Sequence, residues 1–351
     1  MGMKSKLLSL IGQSGPMPFE VFMEHALYDS EDGFFGSGEL KSVKAGDFLT
    51  SPEVSPMFGE AIGRLVEGEV ERVGEPFRFV EVAAGSGSLL RPMLASLDRD
   101  IEAWAVEVAP AARTALSEVL PKERVVDSLD DVPSPFRGVI VANELIDNLP
   151  MAIAQRVGGE WRERWVGAHG GELALIDADP RPEVLEWLDR FAGPVPDGGM
   201  VEVQLLAADW LRTAMSMVEA GSIVLFDYGD TTENLLPRRQ DGTLRTYRSH
   251  HLGPHPLDEP GATDITADVN FTALEAVALE AGWEGKIWRQ DDYLAELGLR
   301  DRVSAMRHEE LALARSGNEM ERLRVRTRRT EVETLIHPRG LGDFRVLVAR
   351  R

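Results

Sequence analysis

The chain has 351 residues, 43% of them hydrophobic and 28% charged, with a formal net charge of −21 and no cysteine. This is an ordinary globular balance. It excludes disulfides, thiolate nucleophiles and cysteine-held metals, and it removes overall charge as a route to nucleic acid, leaving cationic substrates or basic partner segments as what such a chain attracts.

Residues 1–30 read as helical, with Leu7, Leu8, Ile11, Phe19, Phe22, Met23 and Leu27 at helical spacing and a Gly/Pro break at 15–18. A Gly/Ser/Asp-rich loop follows to residue 52 and ends in a helix start. Ser51 suits the cap, Pro52 the first helical position and Glu53 the first turn. The helix then runs to about Val73. Strands are predicted at 78–82, 102–107, 125–126 and 138–142, with helices at 89–97 and 110–120 between them. This alternation predicts an α/β fold, a doubly wound parallel sheet with ligands at the strand C-termini. It then breaks. Residues 153–157 and 160–166 flank Gly158-Gly159 as a β-hairpin, 173–176 adds a strand, and 151–200 is read as an insertion covering the site. A strand at 200–204, a helix at 206–219 and a buried strand at 222–226 follow. Residues 231–270 read as a polar loop, 271–281 as a helix, 285–288 as a strand, 291–330 as charged helix and 344–349 as a closing strand. The expected organisation is a helical extension with a cofactor-covering loop (1–75), the first part of the core (76–150), the insertion (151–200) and the rest of the core (201–351).

The strand at 78–82 contains Glu81 and leads into Gly85 and Gly87; the next strand ends in Glu107, which lies 107 − 87 = 20 positions after Gly87. Glycines at a strand-to-helix turn let a ligand approach the backbone, and an acid about 20 residues further on accepts hydrogen bonds from ribose hydroxyls. The third glycine of the dinucleotide fingerprint is absent, because Leu90 stands there. An acid before the glycines repels a pyrophosphate but suits S-adenosylmethionine, which carries a sulfonium and an ammonium. The residues therefore favour a methyltransferase over a dehydrogenase, beside the plainer reading of a strand-end acid and a simple turn. No apolar run approaches the roughly 20 residues that span a bilayer, and no signal-peptide core precedes the first helix, so the expectation is a cytoplasmic protein without a membrane span.

With these elements placed, the chain resembles the MidA-like methyltransferases, the family of the mitochondrial complex I assembly factor 7. The stretches that carry the resemblance are 46–60 (GDFLTSPEVSPMFGE), 142–150 (ANELIDNLP), 161–164 (WRER), 226–229 (FDYG), 242–247 (GTLRTY) and 264–271 (DITADVNF). The resemblance implies a seven-stranded class I methyltransferase sheet, S-adenosyl-L-methionine as cofactor, and a protein arginine as methyl acceptor, with a respiratory-chain subunit as the family's kind of substrate. The family's glycine loop reads Glu-Leu-Gly-Pro-Gly-x-Gly; here Ala83 stands at its first glycine and Ala84 at its proline. The added methyl crowds a cofactor, or is tolerated if that φ is negative.

In this reading Glu81, Ala83, Gly85 and Gly87 line the methionine part of the cofactor, Glu107 holds the ribose, and Asp127 and Ser128 reach the adenine edge. Thr50 and Ser51, with Asp47 and Glu53, fold over the cofactor or simply enter a capped helix. Asn143, Glu144 and Asp147 follow the fourth strand, where a doubly wound sheet presents its acceptor. Glu144 is the expected guanidinium contact, because a carboxylate holds that group through paired, charge-assisted hydrogen bonds, and Asp147 comes second. Asn143 and Asp147 also suit simple helix caps. Asp227 and Tyr228 end a central strand near the pocket. Arg245, Tyr247 and Arg248 suit an acidic partner or a cofactor carboxylate, but surface placement is the expectation. His250, His251 and His255 lack a zinc-ligand pattern, and no metal site is expected. Two alternatives stay open: a small-molecule methyltransferase, and a non-enzymatic assembly or binding protein on the same fold.

Overall fold

The computed structural model describes residues 2–36, 50–248 and 251–351. Asp47, His250 and the first four residues of the 46–60 motif lie outside the described residues.

The centre is a seven-stranded sheet built from β1 (Arg78–Val82), β2 (Glu102–Val106), β3 (Val125–Val126), β4 (Phe136–Asn143), β9 (Val218–Asp227), β12 (Glu284–Arg289) and β13 (Arg345–Arg350). Its order is β12-β13-β9-β4-β1-β2-β3. The pairs from β3 to β9 are parallel, while β13 runs antiparallel to both neighbours. The chain leaves β1 to one side and returns as β4 on the other. That reversal leaves a crevice beyond the ends of β1 and β4, where open α/β sheets bind ligands.

The strands are buried on both faces, so they read as unbroken apolar runs. Successive side chains point to opposite faces. Phe79, Val139, Val141, Val224 and Phe226 pack on one side with α4 (Met57–Val73), α5 (Leu90–Ser96) and the helices α10 (Gln290–Glu296), α11 (Leu299–Ser316) and α12 (Glu319–Leu335). Val80, Ile140, Ile223 and Leu225 pack on the other with α8 (Leu205–Met217) and α9 (Phe271–Glu280).

A second, antiparallel sheet contains β5 (Ala152–Val157), β6 (Glu160–His169) and β7 (Glu172–Ala178), the hairpin and extra strand expected from the glycine turn. It also takes in Met17–Pro18 against β6, from outside 151–200, and β8 (Met200–Val203) against β5, with β8 starting at the last residue of that range and running beyond it. The helices α1 (Met3–Ser14) and α2 (Phe19–Tyr28) pack on this sheet through Leu7, Phe19, Phe22, Met151, Ile153 and Val166.

The stretch 231–270 is more than a polar loop. It holds β10 (Arg245–Arg248) and β11 (Asp264–Thr266), paired antiparallel. Thr243, Thr246, Thr263, Thr266, Asp268 and Asn270 within it are buried. Its order comes from polar contacts: the Asp268 amide donates to Thr243 Oγ1 at 3.1 Å, and the Asn270 amide to Gln204 Oε1 at 2.8 Å. Ile265, Ala267 and Val269 alternate with Thr266, Asp268 and Asn270 and are fully buried too, an apolar period of two too short to stand out in a polar stretch.

Candidate active site

The crevice opens into a cavity of about 930 Å³ lined from both sides of the switch point. One end is built by the glycine turn and the ends of β1 and β2. Glu81 is buried, and its Oε2 has no hydrogen-bond partner. Burial first, then the neighbouring Glu107, holds its carboxyl well above the ordinary range. Glu107 accepts from the Gly85 amide through Oε2 and from the Ala109 amide through Oε1, both at 2.8 Å. Burial raises its pKa and those amides oppose the rise. Gly85 has φ +52, a left-handed conformation that a glycine adopts without strain. Asp127 and Ser128 line the cavity beyond β3, where Ser128 Oγ also accepts from the Asp130 amide at 3.2 Å.

Ala83 lines the cavity with φ +55. The negative φ that would have accommodated its methyl freely is not adopted, so an L-side chain occupies a conformation that favours glycine. Gly87 does not line the cavity. It has φ +82, and an added Cβ would meet Leu116 Cδ2 at 3.2 Å and Val119 Cγ2 at 3.5 Å, so it serves the packing of the loop against α6 (Pro110–Leu116).

The other end gathers the residues after β4 and β9. Asn143, Glu144, Asp147 and Tyr228 all line it. Glu144 also has a left-handed backbone, φ +52, pinned by its amide donating to Phe226 O at 2.8 Å. Asn143 Nδ2 donates to Glu144 Oε1 at 3.2 Å. The Glu144 carboxyl is pushed up to about 8, by burial first and then by Asp147, while hydrogen bonds from Asn143 and the Ser51 amide oppose the shift. Asp147 Oδ2 accepts from Thr266 Oγ1 at 2.7 Å and from the Tyr228 hydroxyl, and its Oδ1 is buried without a partner. Asp227 does not reach the cavity: its Oδ2 accepts from the Ile146 and Asp147 amides at 2.9 and 3.2 Å and its Oδ1 from the Tyr228 amide at 2.9 Å. It thereby fixes the turn that carries Asp147.

Ser51 is corrected as a cofactor contact. Its hydroxyl is fully buried and accepts from Gln290 Nε2 at 3.1 Å, away from the cavity; its amide is the part that reaches the site, at Glu144. Thr50 does line the cavity, and forms a reciprocal capping box with Glu53 at the start of α3 (Ser51–Val54). Arg245 and Tyr247, expected at the surface, line the cavity as well, whereas Arg248 pairs with Glu259 outside it. Among the lining residues none comes from 151–200. The inserted sheet acts indirectly, as the floor under α2, which brings Glu24 and Tyr28 to the cavity. Those two, with Trp210, carry no motif signal, since packing between distant segments places them, whereas Asp264 and Asp268 fall in the 264–271 stretch but were not expected at the site.

The fold and this site define a class I S-adenosylmethionine-dependent methyltransferase. The residues fit that cofactor: Glu81 has a buried, unpartnered carboxyl oxygen that would meet an ammonium, Glu107, anchored at the end of β2, would meet ribose hydroxyls, and the glycine turn lies between them. Comparison with known proteins agrees. Residues 61–287 match the model of a family described as "Putative S-adenosyl-L-methionine-dependent methyltransferase", and the chain belongs to that family. It is 27% identical over 322 residues to the mitochondrial protein arginine methyltransferase NDUFAF7 homolog of Drosophila melanogaster, covering 80% of this chain and 70% of that one. It is 28% identical over 325 residues to mitochondrial NDUFAF7 of Rattus norvegicus, covering 78% and 68%. A superfamily member from Burkholderia thailandensis, crystallised with S-adenosyl-homocysteine, superposes with a TM-score of 0.86 at 26% identity, covering 99% of this chain and 92% of that one. The expectation of a cytoplasmic protein is corrected here, because the curated relatives are named mitochondrial. Among the described residues no helix is long and apolar enough to cross a membrane.

Proposed function

We propose that this methyltransferase acts on the guanidinium of a protein arginine, with Glu144 as the residue that holds it. One observation carries the reading: a carboxyl group is fixed at the cavity's acceptor end by a left-handed backbone, by Asn143 and by the Ser51 amide, among further acids. A planar cation is the ligand such a site is made to stabilise. The relatives named as protein arginine methyltransferases support the same acceptor.

When bound, S-adenosylmethionine supplies a methyl carbon activated by its sulfonium. The chain's residues do the rest. Asn143 and the Ser51 amide hold the Glu144 carboxyl in place for the guanidinium. An arriving cation favours the ionised carboxylate, so binding draws the Glu144 proton off. The ionised Glu144 carboxylate then stands against the acceptor nitrogen, placed to take the proton that the nitrogen loses on methylation. Asp147, tied to Tyr228 and Thr266, holds a second carboxyl near it. Holding the acceptor nitrogen in attack geometry supplies much of the rate.

The test is incubation with labelled cofactor and extract proteins, followed by identification of the labelled amino acid. Label is expected on arginine. Glu144→Gln is expected to lower the rate by at least about 100-fold while leaving S-adenosylhomocysteine affinity within roughly threefold. Equal rates for variant and wild type would remove Glu144 from this role.

A further inference from the structure

Arg238 and Arg245 both line the cavity, and both pair with one carboxylate, Asp268. Arg238 Nη1 takes Asp268 Oδ2 and Arg245 Nη2 takes Oδ1. Asp268 is itself fixed, with its amide on Thr243 Oγ1 at 3.1 Å and its carbonyl accepting from Gln204 Nε2 at 3.4 Å. Arg245 is braced further by the Tyr228 ring, 5.6 Å from its guanidinium carbon. Two guanidinium groups against one carboxylate leave a surplus positive charge, in a cavity whose other charged lining groups are mainly acidic. Part of that surplus is already desolvated: Arg245 Nε is buried and has no hydrogen-bond partner. Buried polar groups of this kind ask for a partner.

We infer that Arg238 and Arg245 form a carboxylate-binding subsite that reads an acidic side chain next to the acceptor arginine of the substrate polypeptide. The inference rests on the arginine reading above. An arginine fork receives a carboxylate through parallel hydrogen bonds, which neither a neutral residue nor a cation reproduces. Among the described residues the subsite contacts Tyr228 and Asp268, and Tyr228 in turn bonds Asp147 at the acceptor end. It thus complements Glu144. One edge of the cavity takes the positive head of the substrate, and the other takes a negative neighbour.

The cofactor also carries a carboxylate, so the experiment separates the two sources. Extract proteins are methylated by wild type, Arg238→Gln, Arg245→Gln and Arg245→Lys, and the methylarginine peptides are sequenced. For wild type, Asp or Glu is expected at a fixed offset from methylarginine, and both Gln variants are expected to lose that bias. A synthetic peptide of the preferred sequence is expected to show KM raised roughly tenfold by Arg245→Gln, with kcat within about twofold and partial rescue by Arg245→Lys. Replacing its acid by Gln should raise KM for wild type and leave the Gln variant unmoved. S-adenosylhomocysteine affinity, which also reports folding, should stay within about twofold for each variant. Methylarginine with no acidic bias overturns the subsite while leaving the arginine reading intact. A large loss of S-adenosylhomocysteine affinity with unchanged flanking preference assigns the pair to the cofactor and overturns it too. Absence of methylarginine sinks the arginine reading, and this inference with it.

Discussion

Ala83 and Glu144 are the two non-glycine residues with positive φ among the described residues, and both line the cavity. Strain concentrated at one site marks function, since elsewhere selection has no reason to keep it. At Ala83 the left-handed conformation costs about 1–2 kcal/mol, whereas glycine there costs about 0.4–1 kcal/mol through the unfolded chain. Ala83→Gly is therefore expected to stabilise the protein by up to about 1 kcal/mol, read from urea melts, and to tighten S-adenosylhomocysteine binding; a clear loss of stability would contradict the strain. Glu144 sets a pH dependence. Its folded value, about 8, lies above the ordinary 4.5, so the proton favours the folded state. The contribution is full below 4.5 and is lost as pH rises through about 8. Thermal melts should show wild type losing stability relative to Glu144→Gln across that window. Activity has the opposite sign, because the guanidinium needs the carboxylate: kcat/KM is expected to climb with pH up to about 8. The acids were legible from their places at the ends of apolar runs. The backbone strain was not, because nothing in the residue type Glu announces φ +52. Ser51 misled for a related reason: the cap expected of it falls to Thr50, and a packing serine and a ligand-binding serine look alike until the partner, here Gln290, is seen.

At the level of elements, the parallel core was readable because strands buried on both faces must be continuously apolar, as 138–142 and 222–226 are. The region 231–270 was not, since its apolar alternation is confined to Ile265, Ala267 and Val269 and the residues between them, Thr266, Asp268 and Asn270, are buried through hydrogen bonds. The inserted hairpin showed itself through Gly158-Gly159, but its distance from the cavity depends on how α2 packs, which is a long-range fact. Within the core, β9 meets β4 very closely at one position: a Cβ on Gly221, whose φ is +148, would lie 1.7 Å from Gly138 O. Gly221→Ala must part the two strands or strain the backbone, at a cost of about 3 kcal/mol. The same substitution at Gly158, where a Cβ meets nothing within 4 Å, should cost only the strain of its φ of +60. Equal midpoints for the two variants in urea would show that the strand contact is soft.

The whole molecule carries −21 charges, and its candidate acceptor is a cation. Its field draws basic polypeptides toward the cavity, an effect that salt screens with a Debye length of about 10 Å at 0.1 M. KM for a net-basic substrate is expected to rise several-fold between about 0.05 and 0.5 M salt, with kcat nearly constant; a flat KM would mean that the acidity serves solubility alone. The order of the sheet has a different consequence. Strand β13 lies inside it, between β9 and β12, yet follows both in the chain. On the ribosome, therefore, the keystone arrives after the arch. Until residues 345–350 emerge, the nascent protein holds two open strand edges facing a gap that only its own unmade segment fills, and such edges recruit other chains. Translation that stops short of residue 345 should leave products that sediment instead of working at reduced rate.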